Sequence, residues 1–153
     1  MKRSLGLVLL LAALGGCDLL GDDYDDLAPG TFRLRADGKV YTGTARFYPE
    51  TGGYTNEPVV HLMSTDSIPF NIYSHDLLNA TVGSRIEGEV SFRPRAAFYG
   101  NTAGSVTITG TLDGGRAGTF RYQMKDFATA TFDDRVIRVI TVEGGFNAVR
   151  VAD

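Results

Sequence analysis

The chain of 153 residues contains a single cysteine, Cys17, whose thiolate is a strong nucleophile. It follows a short positive start, Lys2 and Arg3, and an apolar run of ten residues at 5–14. A positive start, a short apolar run and small residues before a cut site are the layout of a secretory signal. A membrane-spanning helix needs about 20 apolar residues, so this run is too short to be a permanent span.

The last four residues of this segment, Leu14-Gly15-Gly16-Cys17, resemble the lipobox of bacterial lipoproteins. The resemblance implies that residues 1–16 are a signal peptide, that cleavage falls between Gly16 and Cys17, and that the Cys17 thiol receives a diacylglyceryl group. At least two acyl chains such as palmitate would follow, which is enough for stable anchoring. A lone cysteine forms no disulfide within the chain, and lipidation explains its presence in an exported protein.

An acidic segment follows the cysteine. Five of the 18 acidic residues lie at 18–28 and two of the 15 basic residues lie in the signal, which leaves thirteen of each sign from Pro29 onward. We therefore predict that the segment 17–29 is an extended, self-repelling tether. It is also similar to two sorting signals, because Asp18 resembles the inner-membrane retention signal of enterobacterial lipoproteins and the acidic cluster resembles the surface-export signal of Bacteroidota lipoproteins. The acids lack the spacing of a calcium loop.

The two histidines, His61 and His75, stand in no metal-binding or catalytic motif. A zinc site takes three or four ligands at characteristic spacing, and the only cysteine is assigned to lipidation. A Ser-His-Asp set can be written with Ser64 or Ser74, but no serine lies in a Gly-x-Ser-x-Gly elbow. We therefore predict no metal, no cofactor and no enzymatic activity.

Glu87 and Glu89 are two residues apart on a predicted strand, so both carboxylates are expected on one face. Paired carboxylates carry out glycoside hydrolysis, but this spacing is equally typical of a solvated strand face, which is the interpretation we favour.

A domain with no net charge also lacks the electrostatic attraction that nucleic-acid binding needs. The aromatic loop residues Tyr54, Phe98 and Tyr99 are the best candidates for contact with a protein or glycan partner.

Apolar and polar residues alternate with period two through most of the chain from residue 30. This pattern predicts an all-β fold with one domain at 30–153 and about eight or nine mostly antiparallel strands. Such a set closes as a β-sandwich or a small barrel.

Several local features refine the prediction. They are a two-residue turn at Asp37-Gly38, an edge strand at Pro69, one strand holding Ile86, Val90 and Phe92, a long loop at 96–103, a helical turn within 75–80 and a strand end at Gly144-Gly145.

The last third of the chain carries a second resemblance. The segments 104–109, Gly118-Thr119-Phe120, 139–142 and Gly145-Phe146 are similar to the closing strands of small β-rich lipoproteins of Bacteroidota and related phyla. Because that group has no established activity, the resemblance supports the fold and the location in the envelope and adds no chemistry.

Two functions are expected from these observations. The first is a lipoprotein anchored in the bacterial cell envelope, at the outer membrane rather than the inner, whose periplasmic or surface-facing β domain binds a protein or glycan partner or has a structural role. The alternative is a lipocalin-like carrier, which needs an apolar cavity. Interdigitated phenylalanines would fill that cavity, and the candidates are Phe32, Phe47, Phe92, Phe120 and Phe146. The oligomeric state is not predicted.

Overall fold

The structure, a computed structural model of the chain, describes residues 24, 26–50, 57–94, 97–126 and 138–152. These residues form an all-β fold, as the alternating pattern predicts. The strands are β1 Thr31–Ala36, β2 Lys39–Tyr48, β3 Val59–Ser64, β4 Pro69–Tyr73, β5 Arg85–Ile86, β6 Glu89–Phe92, β7 Tyr99–Gly110, β8 Arg116–Asp126 and β9 Val139–Arg150. Two 3₁₀ turns, His75–Leu77 and Leu112–Gly114, complete the described elements.

Eight of the strands close into an antiparallel barrel. Their order is β7-β6-β4-β3-β2-β1-β9-β8, and a long pairing of β7 with β8 closes the ring. The extra strand β5 pairs with β7 at Val106 and Thr107, beyond the point where β6 ends. Where β1 begins, β2 and β9 meet in a short parallel pairing at Phe47 and Arg150. The predicted fold is therefore confirmed in its barrel form.

The barrel has an apolar interior and a polar outer wall. Along β8, Phe120, Tyr122 and Met124 are buried, whereas Arg121 and Gln123 between them are exposed. This is the period-two alternation of a strand with one face toward a core.

Aromatic rings occupy the centre of the barrel. Phe70 on β4 stacks against Phe120 on β8 with centroids 4.9 Å apart, although these two strands are not neighbours in the ring. Phe120 also lies against Phe146 at 6.2 Å, and Phe70 against Phe92 at 6.0 Å. The phenylalanines proposed to interdigitate are all buried (Phe32, Phe47, Phe92, Phe120 and Phe146). At this level the interior is a packed core.

Of the local predictions, two turns are confirmed and the edge strand at Pro69 is not. Asp37 and Gly38 adopt the positive φ values of a tight turn, and a 3₁₀ turn forms at His75–Leu77. The prediction that the strand containing Pro69 is an edge strand is wrong, because β4 lies between β3 and β6. Pro69 is the first residue of β4, a position that proline tolerates, and its carbonyl still accepts a hydrogen bond from the Arg93 N–H at 3.2 Å.

Strand β9 continues through the glycine pair that was predicted to end it. A Cβ on Gly144 would lie 2.7 Å from the Cα of Leu34 on β1, so the missing side chain allows two strands to pack closely. The predicted loop at 96–103 is also wrong in part, because 99–103 belong to β7.

A buried arginine closes one end of the barrel. The Arg116 guanidinium donates from Nε to the Leu77 carbonyl at 2.7 Å, from Nη2 to the Leu78 carbonyl at 2.6 Å, and from Nη1 to the Gly115 and Gly114 carbonyls at 2.8 and 3.2 Å. Its Cζ lies 4.8 Å above the Phe47 ring. Burial lowers the pKa of Arg116, and the nearby Arg150 adds to this. The Arg116 side chain thus attaches the 3₁₀ turn at His75–Leu77 to the barrel.

Candidate functional site

The barrel wall opens on one side between β6 and β7. The segment predicted to be one strand is divided, with β5 pairing at Val106 and β6 pairing only as far as Gly100. Between these two pairings lies a polar cleft of about 490 Å³. Its lining residues come from both sides of the gap and are Arg85, Glu87, Gly88, Glu89, Asn101, Thr102, Ala103 and Gly104.

A bulge in β7 forms one side of the cleft. The register with β8 shifts between Asn101 and Ala103, which leaves Thr102 as the extra residue. The Asn101 side chain replaces the missing backbone pairing, because its Oδ1 accepts from the Val90 N–H at 3.0 Å and its Nδ2 donates to the Gly88 carbonyl at 3.1 Å. One side chain therefore holds the gap at a fixed width.

Gly104 brings the backbone of β7 down onto an aromatic ring. Its φ is +137°, a conformation that L side chains rarely adopt. A Cβ at this position would also lie 2.5 Å from Cδ1 of Tyr122. The phenol ring of Tyr122 therefore packs directly against the backbone of Gly104, on the interior side of the cleft.

The hydroxyl of Tyr122 lacks a hydrogen bond of normal geometry to any described residue, and the residue is 0% exposed. Burial raises its pKa to about 12; the N–H of Gly88 opposes that rise and the Glu87 carboxylate adds to it. These two neighbours place the hydroxyl under the link between β5 and β6. A buried hydroxyl without an acceptor lowers the stability of the folded state by about 1–3 kcal/mol, and few such groups occur in folded proteins.

Three charged side chains stand at the rim of the cleft. Arg85, Glu87 and Glu89 line it and are all exposed. Glu87 lies in the link between two strands, so the two carboxylates are not successive outward residues of one strand as we expected. The cleft thus combines a donor-only cation with two acceptor-only anions.

Sequence reasoning missed this cleft, although a signal for it exists. Tyr99 and Val106 are both buried on β7 and are an odd number of residues apart. On a regular strand such residues point to opposite faces, so their shared burial requires an inserted residue. Nothing in the sequence marks the Tyr122 hydroxyl, because only the folded chain shows that it is buried without an acceptor among the described residues.

The predicted partner-contact residues are placed differently from one another. Tyr99 is 5% exposed, and its ring lies 6.1 Å from that of Phe92, so it belongs to the core rather than to a contact surface. Burial and the Asp126 carboxylate raise the pKa of Tyr99. Phe98 is half-buried, with the Arg93 guanidinium 4.7 Å above its ring. Tyr54 lies outside the described residues.

Gly16 and Cys17 also lie outside the described residues, so the cleavage and lipidation sites stay predictions. The described part of the chain contains no helix with the length and apolarity that a bilayer crossing requires.

The two histidines lie in separate parts of the barrel. His61 Nδ1 is 2.5 Å from Oδ1 of Asn71 on the neighbouring strand. His75 Nε2 is 3.6 Å from a carboxylate oxygen of Glu57. Among the described residues there is no group of three side chains suited to hold a metal ion.

The end of the acidic segment packs on the outside of β9. The side chain of Tyr24 covers Gly145, where a Cβ would lie 2.5 Å from the Tyr24 Cβ. Asn147 then donates from Nδ2 to the Leu27 carbonyl at 2.8 Å, and its own carbonyl accepts from the Gly30 N–H at 2.6 Å. Among the described residues, contacts with the barrel therefore reach back to Tyr24, six residues before the predicted domain start at residue 30.

We expect the effect of Gly145→Ala on stability to change sign with the residue at position 24. In the natural chain the new methyl displaces Tyr24 and lowers the free energy of unfolding by about 1 kcal/mol, the scale of a lost aromatic contact. In a Tyr24→Gly background, which lacks the Cβ that the new methyl would meet at 2.5 Å, the same change should stabilise by about 0.5 kcal/mol, because alanine loses less conformational entropy than glycine. Urea unfolding of the four proteins in a double-mutant cycle measures this coupling. Equal effects in both backgrounds would show that Tyr24 does not rest on Gly145.

Comparisons of the chain with protein-family models, with curated proteins and with solved structures gave no match.

Proposed function

We propose that the protein is a lipid-anchored lipoprotein of the bacterial cell envelope whose β-barrel is a non-catalytic module that binds a protein or glycan partner. The lipobox at 14–17 and the acidic segment that follows it support the anchor. The outer membrane, with the barrel facing the periplasm or the cell surface, is the proposed location.

The observation that carries the binding role is the filled interior. Because Phe70 and Phe120 stack across the barrel axis, a ligand has no room at this level and recognition is left to the outer wall. The described wall carries a preformed polar cleft that Asn101 holds open. A polar external cleft suits a partner that presents hydrogen-bonding groups rather than a buried apolar ligand.

The alternative, a lipocalin-like carrier, shares the closed barrel. It differs in needing an apolar cavity open at one end. The stacked rings argue against such a cavity at their level, and the packing experiment described in the Discussion separates the two functions.

The anchor is tested by replacing the cysteine. We expect Cys17→Ala to move the protein from the membrane fraction to the soluble fraction almost completely, because burial of the acyl chains supplies the anchoring free energy at about 0.8 kcal/mol per methylene. Fractionation of cells followed by detection of the protein measures this.

A Ser4→Ala variant, altered in the same signal segment with the lipobox intact, is the matched control and should stay with the membranes. Retention of Cys17→Ala on membranes after washes without detergent would contradict the lipid anchor.

A further inference from the structure

One end of the barrel carries the two most exposed large apolar side chains of the described residues. It is the end at which β7 stops and β8 begins, and both 3₁₀ turns lie there. Leu112 in the second turn is 79% exposed, Val82 in the link to β5 is 65% exposed and Leu78 after the first turn is 44% exposed. We call these three side chains the apolar tip. Single apolar side chains on a surface are ordinary, but a group of them marks a contact surface.

Hydrogen bonds hold the segments of the apolar tip together. The Arg116 guanidinium donates to the carbonyl of Leu78 at 2.6 Å and to that of Gly114 at 3.2 Å, so the two turns meet at one buried side chain. The N–H of the residue after Val82 donates to the Ile108 carbonyl at 2.8 Å, which places Val82 beside the last residues of β7, where they lead into the second turn. The three apolar side chains therefore share one end of the barrel instead of lying on unrelated loops.

The charges near the apolar tip have both signs. Arg150 lies against the second turn, because a Cβ on Gly114 would be 3.2 Å from the Arg150 Cδ. Two exposed acids, Asp113 and Asp76, stand in the turns themselves. This mixture gives neither an anionic nor a cationic surface a strong attraction, so binding at this end depends on the apolar side chains.

The opposite end of the barrel is a poorer apolar surface. Its two exposed valines, Val40 and Val139, are less exposed than Val82, and each follows a charged residue of an ion pair. Contact with lipid would remove water from four charges at that end, which is costly. The ion pairs join Lys39 to Asp66 and Asp37 to Arg138.

The tether allows the apolar tip to reach the membrane of the proposed anchor. Gly30, the residue before β1, lies at the tip end, because a Cβ on it would be 3.8 Å from the Val149 methyl groups near the end of β9. Tyr24 covers Gly145, four residues back along β9. The six residues before Tyr24 lead to Cys17, and six extended residues are enough to span four residues of strand. A lipid on Cys17 and the apolar tip can therefore lie in the same bilayer.

We propose that the apolar tip rests on the bilayer in which Cys17 is anchored, with Leu112 and Val82 inserted below the headgroups. This inference rests on the lipid anchor of the proposed function and adds a second, non-covalent contact that sets the orientation of the barrel. With the tip on the membrane, the cleft between β6 and β7 lies in the side wall and stays accessible to a partner.

A tethered barrel needs only a weak contact to stay in one orientation. Full removal of one leucine or valine side chain from water shifts an equilibrium by about tenfold or more. The tether already supplies a high effective concentration of the tip at the membrane. Two inserted side chains are therefore sufficient to keep the tip on the bilayer for most of the time.

The orientation is tested by methyl NMR on the chain that begins at Cys17, with its thiol coupled to a maleimide lipid in phosphatidylcholine nanodiscs. The coupling is specific, because Cys17 is the only cysteine. Lipids that carry a nitroxide near the headgroup are the probe. We expect them to broaden the methyl signals of the apolar tip several-fold more strongly than those of Val40 and Val139. The broadening should persist at high salt, because the contact is apolar.

The two ends of the barrel offer a matched pair of variants. Leu112→Asp with Val82→Asp should lower the membrane-bound population of the tip at least about tenfold, because a carboxylate is costly below the headgroups, and the Leu78 methyl signals report this. Val40→Asp with Val139→Asp, the same change at the opposite end, is the control and should leave the broadening of the tip as it is. All four positions are exposed, so both variants should keep the Tm of the natural chain.

Two results would overturn the proposal. Equal broadening at the two ends would show that the barrel turns freely on its tether and that the tip is left for a protein partner. Unchanged broadening at Leu78 in the Leu112→Asp, Val82→Asp protein would show that the apolar side chains do not make the contact. Because the coupling is chemical, neither result depends on lipidation in the cell. A chain that Cys17→Ala releases from membranes, but whose tip is not broadened, would keep the proposed anchor and lose this inference.

Discussion

Replacement of Arg116 by methionine is expected to lower the free energy of unfolding by about 3–5 kcal/mol, and with it the Tm by roughly 10–15 °C. Methionine keeps the stem packed against Phe47 but removes a fork of donors that satisfies four backbone carbonyls. Buried carbonyls without donors each cost about 1–3 kcal/mol. The 3₁₀ turn that carries Leu77 then loses its attachment to the barrel.

The size of this effect depends on geometry as well as charge. Arg116→Lys keeps the cation but replaces a planar fork by a point charge, so we expect it to recover only part of the loss. Arg121→Met is the matched control, because Arg121 is exposed and its nearest acid, Glu143, lies 3.7 Å away. Such a surface pair contributes about 0–1 kcal/mol.

Thermal and urea unfolding of the three variants measure these differences. An Arg116→Met protein as stable as Arg121→Met would show that the cost of burying the cation cancels the benefit of its hydrogen bonds, as happens for some buried ion pairs.

Removal of the central ring is expected to destabilise the barrel by a similar amount. Phe120→Ala should cost about 3–5 kcal/mol, since Phe120 is buried against Phe70, Phe146 and Tyr122 and a strand framework cannot collapse fully into the space. Phe98→Ala, at a half-buried ring outside this cluster, should cost about 1 kcal/mol and serves as the control.

The same substitution separates the binding module from the carrier. An empty apolar cavity of ring size stays dry and accepts small apolar molecules such as benzene. We therefore expect the Phe120→Ala protein to bind benzene, detected by NMR shifts of interior methyl groups, and the natural protein not to bind it. Saturable uptake of benzene or a fatty acid by the natural protein would instead support the carrier.

The alternating residues made the all-β class and most strand positions predictable. Phe120, Tyr122 and Met124 show this best, because each inward residue is followed by a polar one. Closure into a barrel was not predictable, since it depends on pairings between segments far apart in the chain, such as β1 with β9. The prediction that the glycine pair at 144–145 ends a strand is wrong, because the two glycines instead allow Leu34 and Tyr24 to approach β9 closely. This packing involves segments far away in the chain, so the local sequence does not reveal it.

The candidate site was less predictable than the fold. The rim acids Glu87 and Glu89 were singled out by their spacing, but that spacing alone favoured an ordinary solvated face. Asn101 and Tyr122 carry no local signal, because an asparagine in a glycine-rich stretch suggests a loop and a tyrosine on a regular strand suggests core. Arg116 is similar, since an arginine after two glycines is expected on the surface.

The contact of Tyr24 with Gly145 sets how far the barrel can travel from its anchor. Only residues 18–23 separate Tyr24 from Cys17, and an extended chain spans at most about 3.6 Å per residue. If Cys17 carries lipid as proposed, the wall around β9 stays within roughly 25 Å of the headgroups. The barrel would then be confined to a thin layer above the membrane. A ligand attached to the same envelope would be present there at high local concentration, so that even low affinity would suffice for binding.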